Sequence, residues 1–332
     1  MKPTFNIIIS FFIVLPVLLL SYQLGTPEAI TTAHIAQYLS EPALKLTLAA
    51  ASKDAETEKN LPIRKLEIPD FQSTANSALA WDFKENFYFF TKETNTARPI
   101  ASLTKLISAA VVLDYVQPQE NVVVSLEAVK KDGNSGNLRE GEILTVKDLL
   151  AAALLESSND AAYALGEHVG AKLSVNPESN TTPVRVFVKA MNQKFNDLGL
   201  VHTNFTDPAG LEDINSFSTA EDLAKFIKYF RTNPNYSLVW DILKLKNYHT
   251  ESQNRIAAHD FKNTNPFLEE YAHVIGGKTG YTARALGNML LVVAGPNSSE
   301  IIYLILGADD RESETRKLVE WVAQAWTWPQ EK

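Results

Sequence analysis

The order of apolar and polar positions divides the chain into segments of different character. Residues 7–20 are apolar apart from one serine and one proline, and Lys2 precedes them. This length is typical of an export signal and marginal for a membrane span, and the positive charge predicts a cytoplasmic N-terminus. The next residues, Ser21-Tyr22-Gln23-Leu24, are a poor cleavage site. Residues 1–25 are therefore predicted to be either a signal peptide or an uncleaved membrane anchor.

A segment of mixed composition, residues 26–69, precedes the regularly patterned part of the chain. Residues 26–69 mix alanine-rich pieces with a charged patch, which indicates a tether. A structured domain is predicted for residues 70–328. It opens with two short strands, 77–83 and 87–91, on either side of the turn-prone Lys84-Glu85-Asn86.

The middle of the chain has the periodicity of buried helices. Pro99 ends the strand segment, and the dense apolar positions from Leu103 onward predict a helix with Ser102 in its first turn. A second helix is predicted after Thr145. It breaks at residues 156–159, and a third helix then begins at Asp160. Two further helices are predicted at 186–198 and 219–230, the latter capped by Ser218 or Thr219.

The last third of the chain returns to strands. Residues 273–282, 286–294 and 301–308 are predicted strands, and residues 312–326 a closing helix. Strands first, helices next, and antiparallel strands with a helix at the end predict an α+β fold. We expect an antiparallel sheet flanked by helices, with a mainly helical subdomain.

Composition removes several classes of function. The net charge is -8 and the pI about 5.4, and Lys and Arg form no basic cluster, which argues against a nucleic-acid partner. The chain has no cysteine, so a thiol nucleophile, a disulfide framework and thiolate metal sites are excluded. The six histidines lack metal-ligand spacing, and no glycine-rich phosphate loop occurs. No metal and no cofactor are predicted.

One serine-lysine pair suggests covalent chemistry. In Ser102-Leu103-Thr104-Lys105 the lysine lies on the same helix face as the serine, and a lysine that loses its proton can activate a serine without histidine. Burial and a neighbouring cation, for which Lys278 is the candidate, would favour the neutral amine. The alternative is an exposed lysine on a core helix with a serine cap.

The Ser-x-Asn tripeptides that are candidates for a second element are Ser135-Gly136-Asn137, Ser157-Ser158-Asn159 and Ser252-Gln253-Asn254. Ser157 is favoured because apolar helices enclose its loop on both sides, whereas Ser135 lies in a polar, glycine-containing turn. A hydroxyl and an amide on such a loop can relay a proton and hold a substrate carbonyl. A plain helix cap remains the alternative.

The third element is Lys278-Thr279-Gly280, on a predicted strand. Glycine allows another backbone to approach closely, and lysine with a threonine hydroxyl suits a carboxylate. The backbone N–H of Tyr281 is a candidate oxyanion donor, together with that of Ser102.

Taken in order, these three elements resemble the active-site triplet of the penicillin-recognising serine enzymes. The resemblance is to the D-alanyl-D-alanine carboxypeptidases among the low-molecular-mass penicillin-binding proteins, and it covers about residues 69–326. Other segments also match the family: Arg98-Pro99-Ile100-Ala101, Thr145-Val146-Lys147-Asp148-Leu149-Leu150, Asn159-Asp160-Ala161-Ala162, Asp207-Pro208-Ala209-Gly210-Leu211, Ser218-Thr219-Ala220-Glu221-Asp222-Leu223 and Asn263-Thr264-Asn265.

The resemblance implies a β-lactamase/transpeptidase-like fold and a role for each motif. It makes Ser102 the acylated nucleophile and Lys105 its base. Ser157 and Asn159 become a proton relay and substrate clamp. Lys278, Thr279 and Gly280 would bind the terminal carboxylate, and Tyr281 would line the site.

Two features depart from the family pattern or match it loosely. Arg311 is the candidate for the arginine that the family places near the substrate carboxylate, with a surface charge at a helix start as the alternative. The segment Ala283-Arg284-Ala285-Leu286-Gly287 carries one apparent extra residue before the glycine of the family's Ala-Gly pair.

The function that follows from the resemblance is a serine D-Ala-D-Ala carboxypeptidase acting on peptidoglycan stem peptides, without a cofactor and with β-lactams as covalent inhibitors. We expect it outside the cytoplasm, in the cell envelope, tethered to the cytoplasmic membrane by its N-terminal segment. The rivals are a D,D-endopeptidase that cuts cross-links and an inactive wall-binding module. A class A β-lactamase is disfavoured because no loop glutamate is evident and Ser158 stands where aspartate is typical.

Overall fold

The computed structural model describes residues 61–133, 136–174 and 181–329. The predicted apolar segment 7–20, most of the predicted tether and Ser135 lie outside these residues. No helix within the described ranges has the length and apolar character needed to cross a membrane. The predicted division of the chain at residues 25 and 69 stays a prediction.

The described residues contain both strands and helices. The strands are β1 (Ile63–Arg64), β2 (Ser77–Asp82), β3 (Phe87–Lys92), β4 (Asn121–Val123), β5 (Ile143–Thr145), β6 (Asn247–Glu251), β7 (Ala258–Lys262), β8 (Val274–Thr282), β9 (Leu286–Ala294), β10 (Glu300–Ala308) and β11 (Trp326–Thr327). The α-helices are α1 (Thr104–Tyr115), α2 (Leu126–Val129), α3 (Val146–Ala151), α4 (Asn159–Leu173), α5 (Pro183–Asp197), α6 (Ala220–Thr232), α7 (Ser237–Leu243), α8 (Phe267–Glu270) and α9 (Arg311–Ala325).

The central sheet has the order β3-β2-β10-β9-β8, with every neighbouring pair antiparallel. At its middle, Leu304 of β10 pairs with Leu79 of β2 and with Leu290 of β9. The predicted strands 273–282, 286–294 and 301–308 agree with β8, β9 and β10 to within one residue. Strand β8, which carries the Lys-Thr-Gly element, therefore forms one edge of the sheet.

Both faces of the sheet are buried, because alternate residues of β10 enter two different apolar clusters. Residues 301, 303 and 305 pack in the cluster that contains Leu318 and Val322 of α9. Residues 302, 304 and 306 belong to the larger cluster formed with the other helices. The prediction of an antiparallel sheet flanked by helices is confirmed.

The helices of the larger cluster form the predicted helical subdomain around α1. Residues 104–112 of α1 are all buried, so this helix lies within the core rather than on it. Helix α4 packs against α1, α3 and α5. A Cβ on Gly170 would lie 1.8 Å from the Pro183 carbonyl oxygen, so only glycine permits this approach of α4 to α5. The packing fixes α1 and the start of α4, which carry two of the three motifs.

Candidate active site

The proposed nucleophile lies in a tight turn just before α1. Ser102 belongs to the 3-10 turn Ala101–Leu103, one step before the helix in which the sequence places it. Ala101 has a φ of 47°, which is uncommon for a residue other than glycine and indicates a backbone held by its surroundings. Ser102 is half-buried, so its hydroxyl is accessible while its backbone is fixed.

Lys105 is buried directly beneath this serine. Only 1% of the lysine is exposed, and its Nζ lies 2.8 Å from Ser102 Oγ, 2.7 Å from Asn159 Oδ1 and 2.8 Å from the Ala209 carbonyl oxygen. Burial lowers the pKa of the Lys105 ammonium to about 7, against the opposing charges of Asp207 and Asp160. A large share of Lys105 is therefore the free amine at neutral pH, as a base for Ser102 requires.

The conformation of the loop that contains Ser157 is set by the end of α3. After α3 the chain makes a π-helical turn, Ala152–Glu156, and Ser157 then takes a left-handed φ of 66°. Ser158 caps the next helix by accepting the Ala161 N–H at 3.0 Å and donates its hydroxyl to Asp160. The predicted break between two helices is confirmed, and its left-handed residue and buried cap hold it in one conformation.

Asn159, the first residue of α4, has both ends of its amide occupied. Its Oδ1 accepts from Lys105, and its Nδ2 donates to the Asp132 carbonyl oxygen at 2.6 Å. The amide therefore has a single orientation, with its oxygen toward Lys105.

The structure brings Ser157, and not Ser252, to Lys278 of the Lys-Thr-Gly element. Ser157 Oγ accepts from Lys278 Nζ at 2.7 Å. Ser252 closes the turn between β6 and β7, where its Oγ accepts the N–H groups of Ile256 and Ala257 at 2.9 and 3.0 Å. Ser135 lies outside the described residues.

Lys278 on β8 is as deeply buried as Lys105. It is 1% exposed and also donates to the Thr279 carbonyl oxygen at 2.9 Å. Burial, with the charges of Lys105 and Arg311 adding to it, holds the pKa of Lys278 well below its usual range. Thr279 Oγ1 lies 2.7 Å from Thr264 Oγ1, and Thr264 donates to the Leu155 carbonyl, which ties β8 to the π-helical turn.

Gly280 is where β8 meets the nucleophile. A Cβ on this residue would lie 3.0 Å from the Ser102 nitrogen and 3.0 Å from the Ile100 carbonyl oxygen, so the predicted close approach of two backbones is present. The next residue, Tyr281, is 63% exposed and lies on the open side of the strand. The backbone at Ser102 and strand β8 therefore lie side by side.

Arg311 is the first residue of α9 and reaches the same strand. Its Nη1 donates to the Gly280 carbonyl oxygen at 3.1 Å. Gly287 makes this possible, because a Cβ there would lie 2.9 Å from the Cβ of Arg311. The arginine is thus beside the Lys-Thr-Gly element rather than on a remote surface. Its role toward a substrate carboxylate stays a prediction.

The apparent extra residue after β8 is accommodated in the hairpin turn. Residues 283–285 connect β8 to β9, and Leu286, the first residue of β9, takes a left-handed φ of 56°. Glu212 Oε1 accepts the Arg284 N–H at 2.7 Å, and Arg284 donates to the Asp213 carbonyl. The turn is therefore bound to the loop after Gly210.

Two contributors to the site were not assigned from the sequence. The Ala209 carbonyl contacts Lys105, and Thr264 contacts Thr279. The available signal for the first was Asp207-Pro208-Ala209-Gly210, since aspartate before proline and glycine favours a turn in which the carboxylate caps backbone N–H groups. No sequence signal indicated that this turn would face Lys105.

A buried lysine next to a serine, beside the edge strand of an antiparallel sheet, agrees with the resemblance to the penicillin-recognising serine enzymes, and the fold places this chain among them. The chain belongs to the D-alanyl-D-alanine carboxypeptidase family. A sequence model of that family matches residues 64–310. The protein is thus a serine peptidase of a family that acts on the cell wall outside the cytoplasm.

Individual relatives support this membership. The chain is 30% identical over 270 residues to a D-alanyl-D-alanine endopeptidase of Pseudomonas aeruginosa, and this alignment covers 80% of each protein. It is 28% identical over 268 residues to one of Escherichia coli, covering 80% of this chain and 81% of the relative. The crystal structure of the Streptomyces K15 DD-transpeptidase superposes with a TM-score of 0.68 at 25% identity, covering 77% of this chain and all of that one.

Proposed function

We propose that the protein is a serine-type D-Ala-D-Ala carboxypeptidase that trims peptidoglycan stem peptides through an acyl-enzyme on Ser102. The observation that supports this most directly is the buried Lys105 amine 2.8 Å from Ser102 Oγ. A serine-lysine pair of this kind is suited to acyl transfer.

The acylation step uses the groups around Ser102. Ser102 Oγ attacks the carbonyl carbon of the D-Ala-D-Ala peptide bond while its proton passes to Lys105. The backbone N–H groups of Ser102 and Tyr281 are the proposed donors to the oxyanion. The C–N bond then breaks, and the proton that Lys105 took from Ser102 passes through the Ser157 hydroxyl to the leaving D-alanine amine. The stem peptide stays bound as an ester on Ser102, and Lys105 is again a free amine.

Deacylation reverses the order with water in place of the amine. Water attacks the ester carbonyl while Lys105 takes its proton, and Ser102 regains a proton as the shortened stem peptide leaves with a new carboxylate. Lys278, Thr279 and Arg311 are the proposed partners of the terminal carboxylate of the substrate. The location of Arg311 beside Gly280 supports this assignment.

Digestion of purified muropeptides tests the proposal. The protein is expected to convert monomeric pentapeptides into tetrapeptides with release of one D-alanine, and Ser102→Ala is expected to abolish this conversion. Mass spectrometry of the digest measures both species. Pentapeptides that persist with the wild-type protein would contradict the proposed activity.

A second candidate, D,D-endopeptidase activity, is favoured by the names of the relatives from Pseudomonas aeruginosa and Escherichia coli. The same digest separates the two, because an endopeptidase converts cross-linked dimers into monomers without releasing free D-alanine. An inactive wall-binding module would bind sacculi and produce neither change. Two buried lysines argue against such a module, since burial of an amine is costly and mere binding does not require it.

The cellular location follows from the family and from residues 7–20. We propose that this apolar segment tethers the protein to the cytoplasmic membrane with its peptidase domain outside the cytoplasm. Intact mass analysis of the protein from the membrane fraction is expected to give the full chain of 332 residues. A mass that lacks about the first 25 residues, found in the soluble fraction, would mean a cleaved signal instead.

A further inference from the structure

Three oxygen atoms surround the Lys105 amine, and they decide the direction of its lone pair. A neutral amine has two N–H donors and one lone pair. The Ala209 carbonyl oxygen and Asn159 Oδ1 can only accept, so they take both N–H groups. The lone pair is then left for the Ser102 hydroxyl, 2.8 Å away. The two acceptors therefore orient the base as well as bind it.

The Ala209 carbonyl is held in place by Asp207. The Oδ1 atom of Asp207 accepts the N–H groups of Ala209 and Gly210 at 2.7 and 2.8 Å, and its Oδ2 accepts that of Leu211 at 3.1 Å. Three N–H groups on one carboxylate fold the loop into a tight turn around Asp207, which is 7% exposed. With its N–H groups turned toward the carboxylate, the loop is fixed with the Ala209 carbonyl on Lys105.

This turn packs against the 3-10 turn Ala101–Leu103 on one side and against α1 on the other. Gly210 has a φ of 81°, and a Cβ on it would lie 2.0 Å from the Ala101 carbonyl oxygen. Ser108, one turn after Lys105 on α1, donates to the Pro208 carbonyl at 2.7 Å. The loop therefore contacts both the turn that carries Ser102 and the helix that carries Lys105.

We propose that Asp207 is a positioning residue for the general base: it fixes the Ala209 carbonyl on Lys105 and so directs the amine lone pair to Ser102. The inference rests on the proposed function, in which Lys105 is the base. Asp207 itself contacts backbone N–H groups of its own loop and does not touch the reacting atoms.

The charge of Asp207 gives this role a measurable signature. The titratable groups around Lys105 come from three elements. Asp207 from its loop and Asp160 from α4 raise the pKa of Lys105, whereas Lys278 of β8 has its own pKa lowered by the charges of Lys105 and Arg311. Burial raises the pKa of Asp207, while its three N–H bonds and Lys105 favour the carboxylate. A carboxylate near an ammonium stabilises the proton on the lysine, so its loss must lower the pKa of Lys105.

The variant Asp207→Asn tests the inference through the pH profile of acylation by a fluorescent penicillin. Acylation by the wild-type protein is expected to rise with pH through about 7, as Lys105 loses its proton. In Asp207→Asn the rise is expected at a pH lower by about one unit. The plateau rate is expected to fall about tenfold, because the asparagine NH2 group faces the Leu211 N–H and the turn loosens.

Asp207→Ser is the second variant, for the case that the asparagine variant does not fold. A serine hydroxyl can accept loop N–H groups and carries no charge, so the same displacement of the pH profile is expected. Asp114→Asn is the matched control: this carboxylate at the other end of α1 binds Lys194 and Tyr236, and its loss is expected to leave the pH of the rise unchanged.

The outcomes separate this inference from the proposed function. A rise at the wild-type pH in the folded Asp207 variants overturns the inference, whatever happens to the plateau, because a merely structural role lowers the rate without moving the profile. An equal displacement in Asp114→Asn overturns it as well. Failure of the wild-type protein to form the acyl-enzyme would instead contradict the proposed function.

Discussion

Replacing Ser102 by alanine is expected to abolish covalent labelling by a fluorescent penicillin and to lower peptide hydrolysis by about 10⁶-fold, the loss seen when a serine peptidase loses its nucleophile. Without Oγ there is no atom to form the ester. The fold is expected to be unaffected, because Ser102 is only half-buried and Lys105 keeps its other two acceptors. Gel fluorescence after incubation with the penicillin measures the labelling, and the thermal midpoint checks the fold.

Ser135→Ala is the matched control for this change, because it removes the hydroxyl of another Ser-x-Asn tripeptide. We expect it to be labelled as the wild-type protein is. Ser157→Ala is expected to be labelled more slowly, since Lys278 loses its acceptor at 2.7 Å. If Ser135→Ala abolished labelling and Ser157→Ala did not, the assignment of the second motif would be wrong.

Lys105→Met is expected to lower the rate of acylation by about 10⁴-fold, the upper range for loss of a general base. Methionine is a suitable replacement because its flexible chain can fill the buried space without a charge. The wild-type rate is expected to rise with pH through about 7, where Lys105 changes from ammonium to amine. The residual rate of the variant is expected to be flat over the same range, and stopped-flow acylation measures both profiles.

Stability is the necessary control for Lys105→Met. The variant leaves the Ala209 carbonyl and Asn159 Oδ1 without their donor, and each unpaired buried acceptor costs about 1–3 kcal/mol. The thermal midpoint is therefore expected to fall while the variant stays folded. A folded variant whose acylation still rose through pH 7 would show that another group is the base.

Much of the fold could be read from periodicity. Strands β8, β9 and β10 and helix α9 agree with the predictions to within one residue, since each is long and strongly patterned. The two-stranded pairings β4–β5 and β6–β7 were not predicted. Strands of three to five residues contain too few alternations to stand out from loops, and their formation depends on neighbours far away in the chain.

The site was predictable in its parts and only partly in its arrangement. The motifs identified Ser102, Lys105 and Lys278, and the apolar helices on either side of Ser157 favoured it over Ser135 and Ser252. The cause of the low proton affinity of Lys105 was anticipated only in part: burial lowers it as predicted, but the carboxylates of Asp207 and Asp160 oppose this effect.

The sequence by itself determined the order of the elements, the three motifs and membership in the family, because these depend on residue type and on spacing within a few positions. Only the tertiary structure decided which groups surround the Lys105 amine. Asn159 and Ala209 are 54 and 104 residues from Lys105 in the chain, yet both accept from its amine. Burial and contacts across such distances arise only when helix, loop and sheet edge pack together, and they determine the pKa of Lys105 and the hydrogen bonds of its amine.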